Sequence, residues 1–336
     1  MHTMIVAEMS GNHNGSLKKA VEIIKAAKQA GADAIKLQTY TADTLTLDCH
    51  KPDFMTNPKG PWAGRTAYSL YEEAHTPWEW HEELFRVARE EGILCFSSPF
   101  DRSAVDFLES LGNPIYKIAS PEITDIPLIE YVASKGKPVV FSSGIATRGD
   151  IELALSTCRA AGNDDITLLK CTTAYPTPLQ ECNLAMIPEF ARTFGVKAGL
   201  SDHTLGSLAP IIAVSLGAVM VEKHFIIDRS EGGPDSSFSM DKEEFSRMVK
   251  DIRNVEAALG SNSFDPSASS IAGRRDARSI YIAKPMKKGD TLDEENLRVV
   301  RPGFGLHPKY YKECLGKRVN RDLEPGDPFS LDLIEP

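Results

Sequence analysis

Residues 196–225 read VKAGLSDHTLGSLAPIIAVSLGAVMVEKHF. Two short apolar runs, 196–201 and 219–225, flank a segment of helical period at 208–216. Each run is bounded by Gly or by polar residues, the pattern of a strand buried on both faces in a parallel sheet. A strand, a helix and a second strand of this kind form one βαβ unit. Working outward, the same strand-like runs recur at 4–9, 34–38, 93–98, 115–120, 138–143 and 166–172. Helical patterns recur at 17–30, 78–91, 104–111, 127–135 and 151–161. Eight such strands suit an α/β chain folded as a (β/α)8 TIM barrel, with a doubly wound sheet as the alternative. Polar strand ends favour the barrel: Glu8; Lys36 and Gln38; Ser97 and Ser98; Lys117 and Ser120; Ser142 and Ser143; Lys170 and Thr172; Ser201 and His203; Glu222, Lys223 and His224. These groups converge on one mouth only if the sheet closes, and the C-terminal mouth is where the active sites of such barrels lie.

Lys242–Leu259 reads as the last barrel helix. The next residues, 260–272, are rich in Gly, Ser, Asn and Pro, the composition of a linker. The expected division is a barrel at 1–260, a linker at 261–277 and a small β-rich domain at 278–336. Two stretches of that domain resemble each other. Residues 280–292 hold a Lys-Lys-Gly-Asp turn at 287–290, and residues 319–331 hold a Glu-Pro-Gly-Asp turn at 324–327, each flanked by strand-like sequence.

The chain has 336 residues and a formal net charge of -9, which argues against nucleic acid as a partner because phosphate backbones call for a basic surface. The N-terminus shows no signal-peptide pattern, and no apolar run is long enough to span a bilayer. Six scattered cysteines (49, 95, 158, 171, 182 and 314) form no CxxC pair. They read as free thiols in a reducing, cytoplasmic compartment.

Lys36 and Lys117 stand near strand ends with Ser98, Ser120, Ser142 and Ser201. Ammonium groups ringed by hydroxyls make a pocket for phosphate or carboxylate, although a single lysine there would more often be a surface residue. His203 and His224 end adjacent strands, which lie about 4.8 Å apart, so both imidazoles could share one metal ion. A histidine pair alone is more often structural. Glu8, Glu122 and Asp235 are carboxylates near strands one, four and eight, able to bind sugar hydroxyls, ligate metal or move protons. Asn12, His13 and Asn14 read as a turn helped by Gly15 and a cap at Ser16. The aromatic stretch 68–81 is either a lid helix or core. No Walker loop, GxGxxG, HExxH or GxSxG is present.

Taken together, several motifs resemble those of the sialic acid synthase family. They are Ala-Glu-Met-Ser-Gly-Asn-His-Asn-Gly (7–15), Lys-Leu-Gln-Thr (36–39), Phe-Ser-Ser-Pro-Phe (96–100), Tyr-Lys-Ile-Ala-Ser (116–120), Ser-Asp-His-Thr (201–204), Glu-Lys-His-Phe (222–225) and Arg-Pro-Gly (301–303). They occur in family order along nearly the whole chain, and the C-terminal segment resembles an antifreeze-like (SAF) domain. Lys-Leu-Gln-Thr-Tyr-Thr-Ala-Asp-Thr (36–44) and Thr-Pro-Trp-Glu-Trp-His (76–81) look most like the pseudaminic acid synthase branch. The resemblance implies condensation of phosphoenolpyruvate with an amino-sugar aldehyde. It assigns phosphoenolpyruvate binding to Lys36, Ser98, Lys117, Ser120, Ser142 and Ser201, with Thr173 where the family commonly has Asn. His203 and His224 would hold a divalent metal, manganese foremost, with magnesium or cobalt as other candidates. Glu8, Glu122, Tyr175 and Asp235 would face the sugar or the reacting centre, and Arg301 would reach the sugar from the partner's small domain in a swapped homodimer. Rival readings are a neuraminic or legionaminic acid synthase, a 3-deoxy-sugar-acid phosphate synthase, and a non-catalytic binding protein.

Overall fold

The computed structural model describes residues 2–60, 62–261 and 263–336. The chain divides into two compact units, Met1–Gly260 and Ser261–Pro336. In the first, eight parallel strands close a barrel in sequence order: β1 Met4–Glu8, β2 Ala34–Thr39, β3 Leu94–Pro99, β4 Tyr116–Ile118, β5 Val139–Ser142, β6 Ile166–Cys171, β7 Lys197–Asp202 and β8 Met220–His224. Closure is made by β1 against β8, where Glu8 pairs with His224, while Glu8 pairs with Lys36 of β2 on its other side. The barrel expected from the strand ends is therefore the one observed. Strand bounds differ from the sequence reading by one or two residues.

The alternation of side chains along each strand explains both the core and the site. Ile5, Ala7, Ile35, Leu37, Ile118, Phe141, Leu168, Leu200 and Val221 face the surrounding helices in one large apolar layer. Val6, Ala34, Phe96, Ile115, Val140, Leu169 and Met220 face inward and form a dry floor across the barrel. Full burial of a side chain such as Phe96 contributes about 1.5–3 kcal/mol. Gly199 belongs to this inner tier because a Cβ there would sit 2.5 Å from Met220 O and 2.7 Å from Leu169 Cδ2. Two residues further along the strands, the same inward direction is taken by Glu8, Lys36, Ser98, Lys117, Ser142, Ser201 and Glu222. The barrel thus carries a polar tier directly above an apolar floor.

The helices start where capping chemistry allows. Ser16 accepts from Lys19 N ahead of Leu17–Gln29, Asp101 from Ser103 N and Ala104 N ahead of Arg102–Ser110, and Asp241 forms a capping box with Glu244 ahead of Lys242–Leu259. Helix Met186–Phe194, between β6 and β7, was not among those expected. The aromatic stretch 68–81 divides into helix Ala67–Ala74 and a 3-10 turn at Trp78–Trp80. Trp78 stacks on Phe107 and Trp80 meets His13 edge-on, so both pack within the fold. All six cysteines are free thiols. Among the described residues no helix is long and apolar enough to cross a membrane.

The second unit begins with a short helix, Ala268–Gly273, inside the stretch expected as linker. Its strands β9 Ser279–Ile282 and β10 Leu297–Val300 pair antiparallel, over a core of Ile280, Ile282, Met286, Leu292, Leu297, Val319, Leu323 and Phe329. The two similar turns are built alike. Lys287 N donates to Asp290 Oδ2 at 2.7 Å, and Glu324 N donates to Asp327 Oδ2 at 2.9 Å. Gly289 and Gly326 take φ of 89° and 94° in the same places, a conformation that favours glycine. Met286 of one stretch bridges to Leu323 of the other. Arg301 lies exposed on this unit, directly after β10.

Candidate active site

Four buried ionisable groups occupy the polar tier: Glu8, Lys36, Lys117 and Glu222. Lys36 Nζ lies 2.8 Å from Glu8 Oε2 and 3.6 Å from Glu222 Oε1, and Lys117 Nζ donates to Glu222 Oε1 at 2.9 Å. Gln38 Nε2 donates to Glu8 Oε1 at 2.7 Å, Ser201 Oγ to Glu222 Oε1 at 3.2 Å, and Lys36 Nζ reaches Ser98 Oγ at 3.4 Å. The two lysines expected as an open cationic pocket are thus already ion-paired, and Glu222, expected at the mouth as a polar strand end but given no role there, joins them. Burial alone would push the Glu222 pKa up, but Lys117 and Lys36 outweigh it and hold it near about 2. Burial lowers the Lys117 pKa, whereas Lys36 is held above its ordinary value because Glu222 and Glu8 overcome the burial. Glu8 is shifted upward by burial. With all four groups ionised the cluster has no net charge, an arrangement that limits the large desolvation penalty of isolated buried ions.

Beside the cluster is a cradle of hydroxyls. Ser120 Oγ accepts from Ile145 N at 2.9 Å and from Thr173 Oγ1 at 3.1 Å. Ser142 Oγ, Glu122 Oε2 and Glu222 Oε2 are buried with no hydrogen-bond partner among the described residues. Buried polar atoms left open in this way are ones that a water, an ion or a bound molecule can satisfy. A Cβ on Gly144 would fall 2.1 Å from Thr173 Oγ1 and 2.5 Å from Ser120 Oγ, so only glycine leaves both hydroxyls in place. Should an anionic substrate bind these hydroxyls, Gly144→Ala is expected to raise its KM about tenfold or more, the size of one displaced charge-assisted hydrogen bond of about 1.5–3 kcal/mol. Steady-state kinetics checks this, and an unchanged KM would remove the hydroxyls from the binding site. Glu122 is the second residue of the 3-10 turn Pro121–Thr124 after β4. Burial lifts its pKa to about 7.

The histidines lie together as expected, with ring centroids 5.4 Å apart. His203 Nδ1 donates to Thr172 O at 2.9 Å, which leaves the Nε2 lone pair free. His224 Nδ1 is buried without a partner among the described residues. Burial lowers both pKa values, so both rings are neutral, the form that binds a metal. Two neutral imidazoles with free nitrogens fit a divalent ion, although among the described residues no group of three His, Cys, Asp or Glu surrounds one point. An ion here would therefore keep positions open to substrate or water. Behind the pair, Asp202 and Lys223 form a buried ion pair on the outer side of β7 and β8, and Lys223 Nζ also donates to Thr204 O at 2.6 Å. This clamp fixes the loop that carries His203.

Tyr175 covers the histidines, 4.4 Å from His203 between centroids, and packs against Phe238 at 5.0 Å. Asp235 is buried and accepts from Gly11 N at 3.3 Å, with its pKa raised by burial. Not every expected mouth residue faces the site, because side chains on a strand alternate. Ser97 Oγ pairs with Thr39 Oγ1 at 2.6 Å on the outer side of the sheet. Lys223 points away from Glu222 and His224, and Lys170 and Ser143 line a separate cavity of about 300 Å3 with Met186, Phe190 and Phe194. The turn after β1 is structural: Asn12 Nδ2 donates to Phe225 O and Ser239 Oγ, and His13 Nδ1 accepts from Gly15 N.

Residues 23–264 match the NeuB family, and residues 277–335 match the SAF domain. The chain is 48% identical to the pseudaminic acid synthase of Campylobacter jejuni over 96% of this chain and 94% of that protein. It is 38% identical to the N,N'-diacetyllegionaminic acid synthase of Legionella pneumophila over 100% of this chain and 95% of that protein. Among solved structures, the N-acetylneuraminic acid synthetase of Leptospira borgpetersenii in complex with citrate superposes with a TM-score of 0.72 at 30% identity, covering 81% of this chain and 90% of that one. A closed barrel with a polar tier of lysines, carboxylates and histidines, joined to a turn-symmetric C-terminal unit, accords with these matches, and the chain belongs to the NeuB family.

Proposed function

We propose that the chain is a pseudaminic acid synthase, condensing phosphoenolpyruvate with 2,4-diacetamido-2,4,6-trideoxy-altrose and water to give pseudaminic acid and phosphate. The observation that carries the reading is the Lys36–Lys117 and hydroxyl tier lying in one barrel mouth with the His203–His224 pair. The choice of branch is supported by 48% identity to a pseudaminic acid synthase against 38% to a legionaminic one.

In this reading the methylene carbon of phosphoenolpyruvate bonds to the aldehyde carbon of the sugar. Water adds at the carbon bearing the phosphate, the C–O bond to phosphate breaks, and the sugar oxygen takes up a proton. Lys36 and Lys117 meet the phosphate and carboxylate charge, with Ser98, Ser120, Ser142, Thr173 and Ser201 as hydroxyl partners. Because Glu8 and Glu222 already balance the lysines, an incoming anion calls for further positive charge. A divalent ion held by His203 and His224, manganese foremost, would supply it and polarise the sugar aldehyde. Tyr175 and Asp235 border the same space and are assigned to the sugar, as is Glu8 on the side of Gln38. The swapped homodimer, Arg301 as a sugar contact, the domain division at 260 and 278, and a cytoplasmic location belong to this reading and are supported by the family resemblance.

Glu122 is assigned the proton exchanged with water. Its folded pKa of about 7 lies above its ordinary value, so between those two values the folded protein binds more protons than the unfolded chain. Stability then falls as pH rises from about 4.5 toward 7. Glu122→Gln is expected to flatten that part of the stability profile and to remove the limb of kcat near neutral pH. Urea melts and pH–rate profiles report the two effects, and a variant with both profiles intact would exclude Glu122 from proton transfer.

The reading is tested by phosphate release from phosphoenolpyruvate with manganese, offering the altrose derivative, N-acetylmannosamine and the legionaminic precursor in parallel. Release with the altrose derivative alone is expected. Preference for another sugar would keep the chemistry and replace the substrate, and no release with any of them in folded, metal-loaded protein would overturn the function.

A further inference from the structure

Trp62 lies outside the barrel strands and their end motifs, yet it packs against the two rings that adjoin the histidine pair. It lies on the long connection between β2 and helix Ala67–Ala74. That connection is tied across its base: Met55 bridges to Thr66, Thr56 N donates to Arg65 O at 3.0 Å, and Thr56 Oγ1 donates to Trp62 O at 2.5 Å. Trp62 Nε1 donates to Pro234 O at 2.8 Å, one residue before Asp235. The indole centroid is 5.7 Å from Tyr175 and 6.3 Å from Phe238. Phe238 lies 5.0 Å from His224, and Tyr175 lies 4.4 Å from His203. Three aromatic rings from three separate loops therefore form one wall over the imidazoles, and Trp62 is its half-buried outer member.

The chemistry of that wall is selective. The one polar atom of the indole is already bonded to Pro234, so what Trp62 offers a ligand is ring surface. Aromatic surface rewards apolar carbon and gives nothing to a hydroxyl that leaves water. A trideoxy sugar with two acetamido groups carries three methyl groups and lacks the primary hydroxyl of an ordinary hexose. We infer that Trp62 is a specificity-determining residue for the sugar, forming with Tyr175 and Phe238 an apolar wall that receives the methyl groups of a deoxy, acetamido sugar. This rests on the proposed synthase reading and names the feature within it that selects the sugar. Apolar pockets discriminate by about 10–200-fold per methylene and reject an added hydroxyl by about 100-fold.

The test is the full kinetics of Trp62→Ala and Trp62→Phe in the metal-loaded full-length enzyme, using the altrose derivative, N-acetylmannosamine and phosphoenolpyruvate. Trp62→Ala is expected to raise the KM for the altrose derivative about tenfold or more, leave that for phosphoenolpyruvate within about twofold, and narrow the preference over N-acetylmannosamine by about tenfold. Trp62→Phe, which keeps an aromatic face, is expected to retain most of the preference. It also serves if the alanine variant fails to fold, because sugar binding should change tryptophan fluorescence in the native enzyme and much less in this variant. A variant preference equal to the native one, or an equal rise in both KM values, overturns the inference alone. A native enzyme that prefers N-acetylmannosamine overturns the proposed function and, with it, the ligand class named here.

Discussion

Replacing Glu222 by Gln is expected to make the protein less stable while making it a tighter anion binder. Glu222 is shared by Lys117 at 2.9 Å and Lys36 at 3.6 Å in a buried tier. Removing one partner of a buried ion cluster leaves the others uncompensated, at a cost of about 3–5 kcal/mol. The remaining groups, Glu8, Lys36 and Lys117, then carry one net positive charge. Phosphoenolpyruvate no longer has to compete with Glu222 for Lys117, so its dissociation constant should fall about tenfold, or about 1.4 kcal/mol. The two effects have opposite signs and are read together. Urea melts give the loss of stability, and calorimetric titration with phosphoenolpyruvate gives the gain in affinity. Lys117, whose pKa burial already lowers, adds a pH signature. In the variant its deprotonation should begin at lower pH, where the unfolded chain still binds the proton, so stability should recover as pH rises. Unchanged phosphoenolpyruvate affinity in a destabilised variant would show that Glu222 does not gate the lysines.

The cluster also shows what could be read from the chain and what could not. The barrel was legible because buried parallel strands are short apolar runs and their polar ends have to go somewhere. Most candidate residues followed from position alone, since Lys36, Ser98, Lys117, Ser142 and Ser201 stand two residues beyond the floor residues Ala34, Phe96, Ile115, Val140 and Gly199. The same period would have found Glu222, because a residue two before an inward His224 must itself point inward. It would also have turned Lys170 and Lys223 outward. Polar character alone does not separate inward from outward strand ends; alternation does. Charge balance was not legible in the same way. Nothing in the sequence says that each lysine meets a carboxylate from a different strand, since that depends on the stagger of β1 against β2 and β8. Trp62 carried no signal at all, because an irregular connection has no period from which a direction could be inferred.

His224→Ala is expected to abolish turnover, by about 10^3-fold or more, and with it the stabilisation of the fold by manganese. The first magnitude follows from losing several kcal/mol of transition-state stabilisation that a bound divalent ion provides. The second is independent of activity. An ion at 100 times its dissociation constant stabilises a native protein by about 2.7 kcal/mol, and an ion left with one imidazole should lose that effect. His203→Ala should behave alike, because His203 Nδ1 is committed to Thr172 O, which leaves Nε2 free, and its ring centroid lies 5.4 Å from that of His224. A graded control comes from the clamp behind them. Lys223→Met leaves both imidazoles in place but releases Asp202 and Thr204, and loss of such outer support typically weakens metal affinity 10–100-fold. The expected order of manganese affinity is therefore native, then Lys223→Met, then either histidine variant. Thermal shift against manganese concentration measures the order, and metal content by mass spectrometry checks it. Full stabilisation by manganese in both histidine variants would place the ion elsewhere. Full turnover of the native protein after exhaustive chelation would remove the metal from the reaction and leave the paired imidazoles to be explained as proton carriers.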